Sequence, residues 1–298
     1  MQVKGVYTAL VTPFDASGEV NFDMLGELLE KQIAAGVAGV VPMGTTGESP
    51  TMFNAEHDAV IRYTVEKVAG RVQVWAGTGS NNTQQAIRTT GEAQEAGADG
   101  ALVVTPYYNK PSQAGLIRYF REIAESTDLP IIVYNIKGRT AVNVETDTLA
   151  EIAKIPNVIA VKEASGDIGQ MTDVIDSICH RQDDPFWVVS GDDALTLPLM
   201  SVGGHGVISV VSNLVPERMV AMVEAAADGD FETARRIHFE LLPLFKASFI
   251  ETNPVPIKAA MKLCGLDVGG VRSPLAPLTD ASHERLTAIL RKAGLIAQ

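Results

Sequence analysis

Apolar and polar positions along the chain alternate between two periods. Gly5 to Pro13 is a short apolar run stopped by proline. After it, Asn21 has the form of a helix N-cap, and Phe22, Leu25, Leu28, Leu29 and Ile33 supply an i, i+3, i+4 stripe that ends at Gly36. This strand, helix and glycine stop then recur. Gly39–Met43 precedes a helical stretch over 54–69, Val72–Gly77 precedes 83–96, and Ala101–Thr105 precedes 113–126. Ile131–Tyr134 precedes 146–154, Val158–Lys162 precedes 168–179, Phe186–Ser190 precedes 194–202, and Gly206–Val210 precedes 216–227. Eight such units at a spacing of roughly 25–30 residues predict a parallel sheet closed into a (β/α)8 TIM barrel. An open doubly wound sheet would carry a glycine-rich phosphate turn. The GxG at Gly77-Thr78-Gly79 lacks the third glycine and reads as a tight strand-end turn.

From Asp230 onward the strand period disappears. Helical patterns over 231–249, 256–263 and 281–293 predict a C-terminal helical appendage. The expected division is a barrel over 1–228, holding the site, and a helical region over 229–298.

Composition narrows the class. The 298 residues can bury one large core, and 46% hydrophobic with 20% charged residues describes an ordinary soluble globular chain. A formal charge of −12 and a pI near 4.9 argue against nucleic acid or an anionic membrane surface as partner. Cys179 and Cys264 stand apart, and the five histidines (His57, His180, His205, His238, His283) show no ligand spacing, so neither a disulfide nor a metal is expected. No apolar run approaches the ~18–20 residues of a membrane span, and the first residues lack a secretory h-region. The expected compartment is the cytoplasm.

In a TIM barrel the chemistry sits at the carboxyl ends of the strands. The sixth strand, Val158-Ile159-Ala160-Val161-Lys162, ends in a lysine. A period of two puts Val158, Ala160 and Lys162 on one face, directed into the barrel mouth. A desolvated amine there loses its preference for the ammonium form and becomes a nucleophile toward ketones, although a lysine that snorkels to solvent fits the same stretch. The other strand ends carry Gly44-Thr45-Thr46-Gly47-Glu48-Ser49, Tyr107-Tyr108-Asn109, Tyr134-Asn135 before Arg139-Thr140, Ser190-Gly191-Asp192-Asp193, and Gly203-Gly204-His205-Gly206-Val207-Ile208-Ser209. Each segment also has a plain structural use, as a turn, a packing pair or, for Asp192-Asp193, an N-cap and its neighbour. Together they gather an amine, phenols, hydroxyls and a guanidinium, a set suited to imine chemistry on a small keto acid.

The same segments, in the same order, resemble the signatures of the pyruvate-dependent class I aldolase and lyase superfamily, and within it the dihydrodipicolinate synthase family. The similarity extends over nearly the whole chain, through Asn253-Pro254. The resemblance implies a lysine-biosynthetic enzyme, without cofactor, that condenses pyruvate with L-aspartate 4-semialdehyde. Lys162 would form the imine, and Tyr134 would move protons together with Thr45 and with Tyr108 from a neighbouring subunit. Thr46 would hold the pyruvate carboxylate, Gly191 and Ile208 would line the pocket, and Arg139 would bind the second carboxylate. The family pattern further implies a homotetramer built as a dimer of dimers. Its feedback site for L-lysine would correspond to Ser49, His57, Asn81, Gln85 and Tyr107. The chain departs from the pattern at Lys137, where proline is usual. Gln85 stands for the glutamate of lysine-sensitive members and Asn54 for histidine or tryptophan, and these two changes predict weak or absent inhibition by lysine. Other readings on the same scaffold are N-acetylneuraminate lyase, an aldolase for hydroxy-oxoglutarate or 2-keto-3-deoxy sugar acids, and a binder without catalysis.

Overall fold

In a computed structural model, which describes residues 1–179 and 185–297, eight strands form one closed parallel barrel in sequence order. They are β1 (Gly5–Ala9), β2 (Gly39–Val41), β3 (Gln73–Gly77), β4 (Gly100–Val104), β5 (Ile131–Asn135), β6 (Val158–Glu163), β7 (Trp187–Ser190) and β8 (Gly206–Ser209). Between and after them run α1 (Phe22–Ala34), α2 (Asn54–Val68), α3 (Thr83–Glu95), α4 (Gln113–Ala124), α5 (Lys137–Thr140) and α6 (Thr146–Ile152). Then follow α7 (Ile168–Val174), α8 (Thr196–Ser201), α9 (Pro216–Ala227), α10 (Phe231–Ala247), α11 (Val255–Leu263) and α12 (Asp280–Lys292). The (β/α)8 expectation and the helical C-terminal region are both present. His180 lies outside the described residues.

Local chemistry explains the element ends. Asn21 caps α1 by accepting from the Met24 amide at 3.0 Å, as its position before the apolar stripe predicts. The helix predicted over 168–179 holds α-geometry only to Val174 and finishes as a π-turn over Ile175–Cys179.

Two apolar layers result. The outer one joins strands to helices and continues into the C-terminal region through Leu241, Phe245, Ile257, Met261, Leu286 and Leu290. The inner one fills the barrel with Tyr7, Trp75, Leu102, Ile132, Tyr134, Ala160, Val189 and Ile208. Its large rings need small neighbours. A Cβ on Gly100 would lie 2.2 Å from the Trp75 ring, and one on Gly39 would lie 2.7 Å from Tyr7. The polar ends of these rings are satisfied, because the Tyr7 hydroxyl and the Trp75 indole N–H both donate to Gln73 Oε1.

Strand β6 corrects one expectation. Val158 does not share the inner face with Ala160 and Lys162. It packs in the outer layer, because the register against β5 slips between the pairs Ile131–Val158 and Ile132–Ala160. The irregularity places an extra residue in β6 before Ala160, so strict alternation holds only from Ala160 onward.

Candidate active site

Lys162 is 5% exposed, inside the barrel at the end of β6, and pairs in register with Tyr134 on β5. Its Nζ stands 4.1 Å from the centroid of the Tyr134 ring. Burial lowers the lysine pKa from 10.5 to about 7; the Asp193 carboxylate pushes it up and the Arg139 guanidinium down. A fall of this size raises the neutral-amine fraction at pH 7 by about three orders of magnitude. At 5% exposure the side chain does not snorkel to solvent. The Tyr134 phenol moves the other way, to about 12, because burial outweighs the opposing effects of Arg139 and Thr45. It therefore stays protonated beside an amine that gives up its proton near neutral pH.

Space for the lysine stem depends on Gly191, just past β7. A Cβ there would lie 3.0 Å from Lys162 Cε and 2.7 Å from Ala164 Cβ. The Gly191 amide donates to the Glu163 carbonyl at 2.8 Å, which fixes this close approach. Ile208 on β8 is buried in the same inner layer.

The acidic pair after β7 divides its labour. Asp192 is the expected N-cap and accepts from the Ala194 amide. Asp193 is more than its neighbour. It is 2% exposed, accepts from the Val210 and Val211 amides at 3.1 Å each, and acts electrostatically on Lys162. Burial raises its own pKa to about 6. Sequence reasoning did not identify this role, because an Asp-Asp pair before a helix looks the same whether or not one member turns inward.

The loop after β2 is held from outside the barrel. The Thr46 hydroxyl accepts from Asn253 Nδ2 at 2.9 Å, and Arg139 Nη2 donates to the Asn253 carbonyl at 3.1 Å. Two residues on, Glu48 is buried in the left-handed region, with φ 58°. It pairs with Lys258 of α11 at 2.7 Å and accepts from the Arg272 amide at 2.9 Å. Lys258 also donates to the Gly270 carbonyl and sits over the Phe14 ring. A signal for this pair was available: Lys258 stands among the apolar residues of α11, and a lysine there calls for a buried partner.

A cavity of about 380 Å³ opens beside this group. Its walls include Thr45 and Arg139 together with Ser49, His57, Gln85 and Tyr107, four of the five positions expected at a regulatory site. The fifth, Asn81, is not in the wall; its carbonyl accepts from the Asn109 side chain. His57 donates Nε2–H to the Gly77 carbonyl at 2.9 Å, and burial lowers its pKa, so the wall carries a neutral imidazole. Gln85 and Asn54 face each other across 3.4 Å as a pair of amides.

Tyr108 is not brought to the pocket of its own chain. It is 88% exposed and held at φ 73°, an unfavourable conformation for a bulky residue. Met43, Glu48, Lys110 and Ala141 share positive φ values in loops at the same end of the barrel, where strain of about 1–3 kcal/mol per residue is often kept for function.

Residues 2–293 match the family model described as the dihydrodipicolinate synthetase family. The chain belongs to this family. The 4-hydroxy-tetrahydrodipicolinate synthase of Methanospirillum hungatei JF-1 is 48% identical over 291 residues, covering 97% of this chain and 99% of that protein. A solved dihydrodipicolinate synthase of Cyanidioschyzon merolae, with lysine bound, superposes with a TM-score of 0.94 at 41% identity, over 98% of this chain and 99% of that one. A solved variant described as the first monomeric dihydrodipicolinate synthase superposes at 0.95 with 42% identity, over 98% and 97%. The resemblance read from the strand ends is thus a family relationship over the full barrel and its C-terminal helices.

Proposed function

We propose that the chain is a 4-hydroxy-tetrahydrodipicolinate synthase, a class I Schiff-base lyase that condenses pyruvate with L-aspartate 4-semialdehyde. The observation that carries this reading is a buried lysine, its pKa lowered to about 7, against a phenol raised to about 12. The neutral Lys162 amine attacks the keto carbon of pyruvate, and loss of water gives the imine. Removal of a methyl proton yields the enamine, whose carbon adds to the aldehyde of the semialdehyde. The semialdehyde's amino group then closes onto the imine carbon and expels Lys162, returning the free amine.

Tyr134 donates and recovers the protons of these steps, with Thr45 as its nearest hydroxyl partner. Tyr108 completes the relay in a second copy of the chain, which is why its exposure and strain persist in one protomer. Thr46 holds the pyruvate carboxylate, Gly191 and Ile208 shape the wall beside the imine, and Arg139 takes the carboxylate of the semialdehyde. In this reading the working enzyme is a homotetramer in the cytoplasm. Residues 1–228 hold the site, and 229–298 form the helical region that braces it. Among the described residues no helix is long and apolar enough to cross a membrane.

The cavity beside Arg139 is the regulatory position of this reading. With Gln85 in place of a carboxylate, it offers no negative charge to a ligand ammonium. We therefore assign weak or absent inhibition by L-lysine.

Turnover assays separate this function from its neighbours on the scaffold. The reading requires product from pyruvate and L-aspartate 4-semialdehyde. Cleavage of N-acetylneuraminate or a 2-keto-3-deoxy sugar acid, with no condensation of the semialdehyde, would replace it with another pyruvate-forming aldolase.

A further inference from the structure

Asn253 lies outside the barrel strands, in the segment between α10 and α11, yet it touches both groups expected to meet carboxylates. Its side-chain Nδ2 donates to Thr46 Oγ1 at 2.9 Å, and its main-chain carbonyl accepts from Arg139 Nη2 at 3.1 Å. The residue is 4% exposed. Its amide oxygen is buried with no hydrogen-bond partner among the described residues. Such a group costs about 1–3 kcal/mol of desolvation, so an amide here is a poor choice for packing alone. What the amide does accomplish is to fill an acceptor site on Thr46. Among the described residues nothing accepts the proton of that hydroxyl. A threonine oxygen already receiving a hydrogen bond is left with its O–H to give, the polarity that a substrate carboxylate requires.

The C-terminal region grips the same loop at a second point, through Lys258 and the Arg272 amide on Glu48. Thr46-Gly47-Glu48 is therefore clamped at both ends by residues contributed from outside the barrel.

We propose that Asn253 is a positioning residue that sets Thr46 as a donor toward the keto-acid carboxylate, and that its side chain governs the first substrate and not the second. The proposal rests on the functional reading above. Arg139 is held by the main chain of Asn253, so its contact survives a change of side chain. Removing the amide frees the Thr46 hydroxyl to rotate and weakens one charge-assisted hydrogen bond to pyruvate.

The experiment traps the pyruvate imine on Lys162 with borohydride across pyruvate concentrations, in parallel with steady-state KM values for both substrates. Asn253→Ala should raise the half-saturating pyruvate concentration about tenfold, with the KM for the semialdehyde changed less than about twofold. In a Thr46→Val background, which already lacks the hydroxyl, Asn253→Ala should add nothing. Asn253→Asp, of the same shape, should be worse than the alanine variant, because its carboxylate would take the Thr46 proton and repel the substrate. This isosteric variant also carries the test if the alanine variant does not fold. Independent, multiplying effects of the Thr46 and Asn253 changes would overturn the proposal, as would an Asn253→Asp enzyme that traps pyruvate like the parent. A parent chain that forms no adduct at all would instead overturn the functional reading beneath it.

Discussion

Gly191→Ala is the most informative small change in the pocket. The added methyl would meet Ala164 Cβ at 2.7 Å, Lys162 Cε at 3.0 Å and Lys162 Cγ at 3.1 Å. Ordinary contact begins near 3.4 Å, so the Ala164 contact must open by 3.4 − 2.7 = 0.7 Å and the lysine contacts by 0.3–0.4 Å. The strands cannot absorb this freely. β6 is paired on both sides, and the Gly191 amide is tied to the Glu163 carbonyl at 2.8 Å. The yielding part is the lysine stem, which must swing away from its position under Tyr134. Overpacking of this kind costs about 1–3 kcal/mol, a fall of roughly 2–5 °C in Tm for a chain of this size. The lysine shift adds a chemical penalty of several-fold, since 0.3–0.4 Å is a fraction of the roughly 1 Å misplacement that can cost about 10²-fold in rate. The assay is the rate of pyruvate imine formation on Lys162 beside a thermal melt. Adding Ala164→Gly removes the 2.7 Å clash but leaves both lysine contacts. It should therefore restore most of the Tm and little of the rate. A Gly191→Ala enzyme with unchanged imine formation would refute the claim that the glycine makes room for the lysine.

Three further outcomes follow from the same geometry. Imine formation should rise with pH up to about 7 and then level, because only the neutral Lys162 amine attacks, and its pKa lies near that value. Asp193→Asn, which removes the carboxylate that holds the proton on, should shift this limb to lower pH; an unmoved limb in stopped-flow measurements would contradict the electrostatic link. Lys258→Met leaves Glu48 buried without its partner and should cost about 3–5 kcal/mol in denaturant unfolding. The double change Glu48→Gln with Lys258→Met should recover part of that loss, and strict additivity would deny the pair its role. Millimolar L-lysine should inhibit the enzyme weakly, and Gln85→Glu should strengthen that inhibition about tenfold by supplying a charge-assisted hydrogen bond. Half-inhibition of the unaltered enzyme below millimolar lysine would sink this account of the cavity.

The legible part of this protein was the part written locally. Period, proline stops and the Asn21 cap were enough for eight strand-and-helix units and the helices after them. The polar residues at the strand ends pointed to the carboxyl face of the barrel as the candidate site. The misplacement of Val158 has a physical cause, since a slip of register beside β5 is decided by the neighbouring strand and leaves no mark on alternation within β6. Asp193 was hidden for a related reason, because the turn that sends it inward is fixed by amides of residues 210 and 211. Asn253 and Lys258 act on a loop more than 200 positions earlier, a distance across which no pattern in the chain reaches. Tyr108 shows the limit most plainly. Its exposed side chain meets no pocket of its own chain, and the role proposed for it lies in a second copy, beyond anything one chain's pattern can mark.

Lys162 is the residue on which the proposed chemistry depends. Borohydride reduction in the presence of pyruvate, followed by intact mass and peptide mapping, should find a single pyruvate-derived adduct on the peptide that contains Lys162. The adduct should be lost in Lys162→Arg. A folded protein that stays unmodified, or that carries its adduct on another lysine, would rule out Lys162 as the Schiff-base residue.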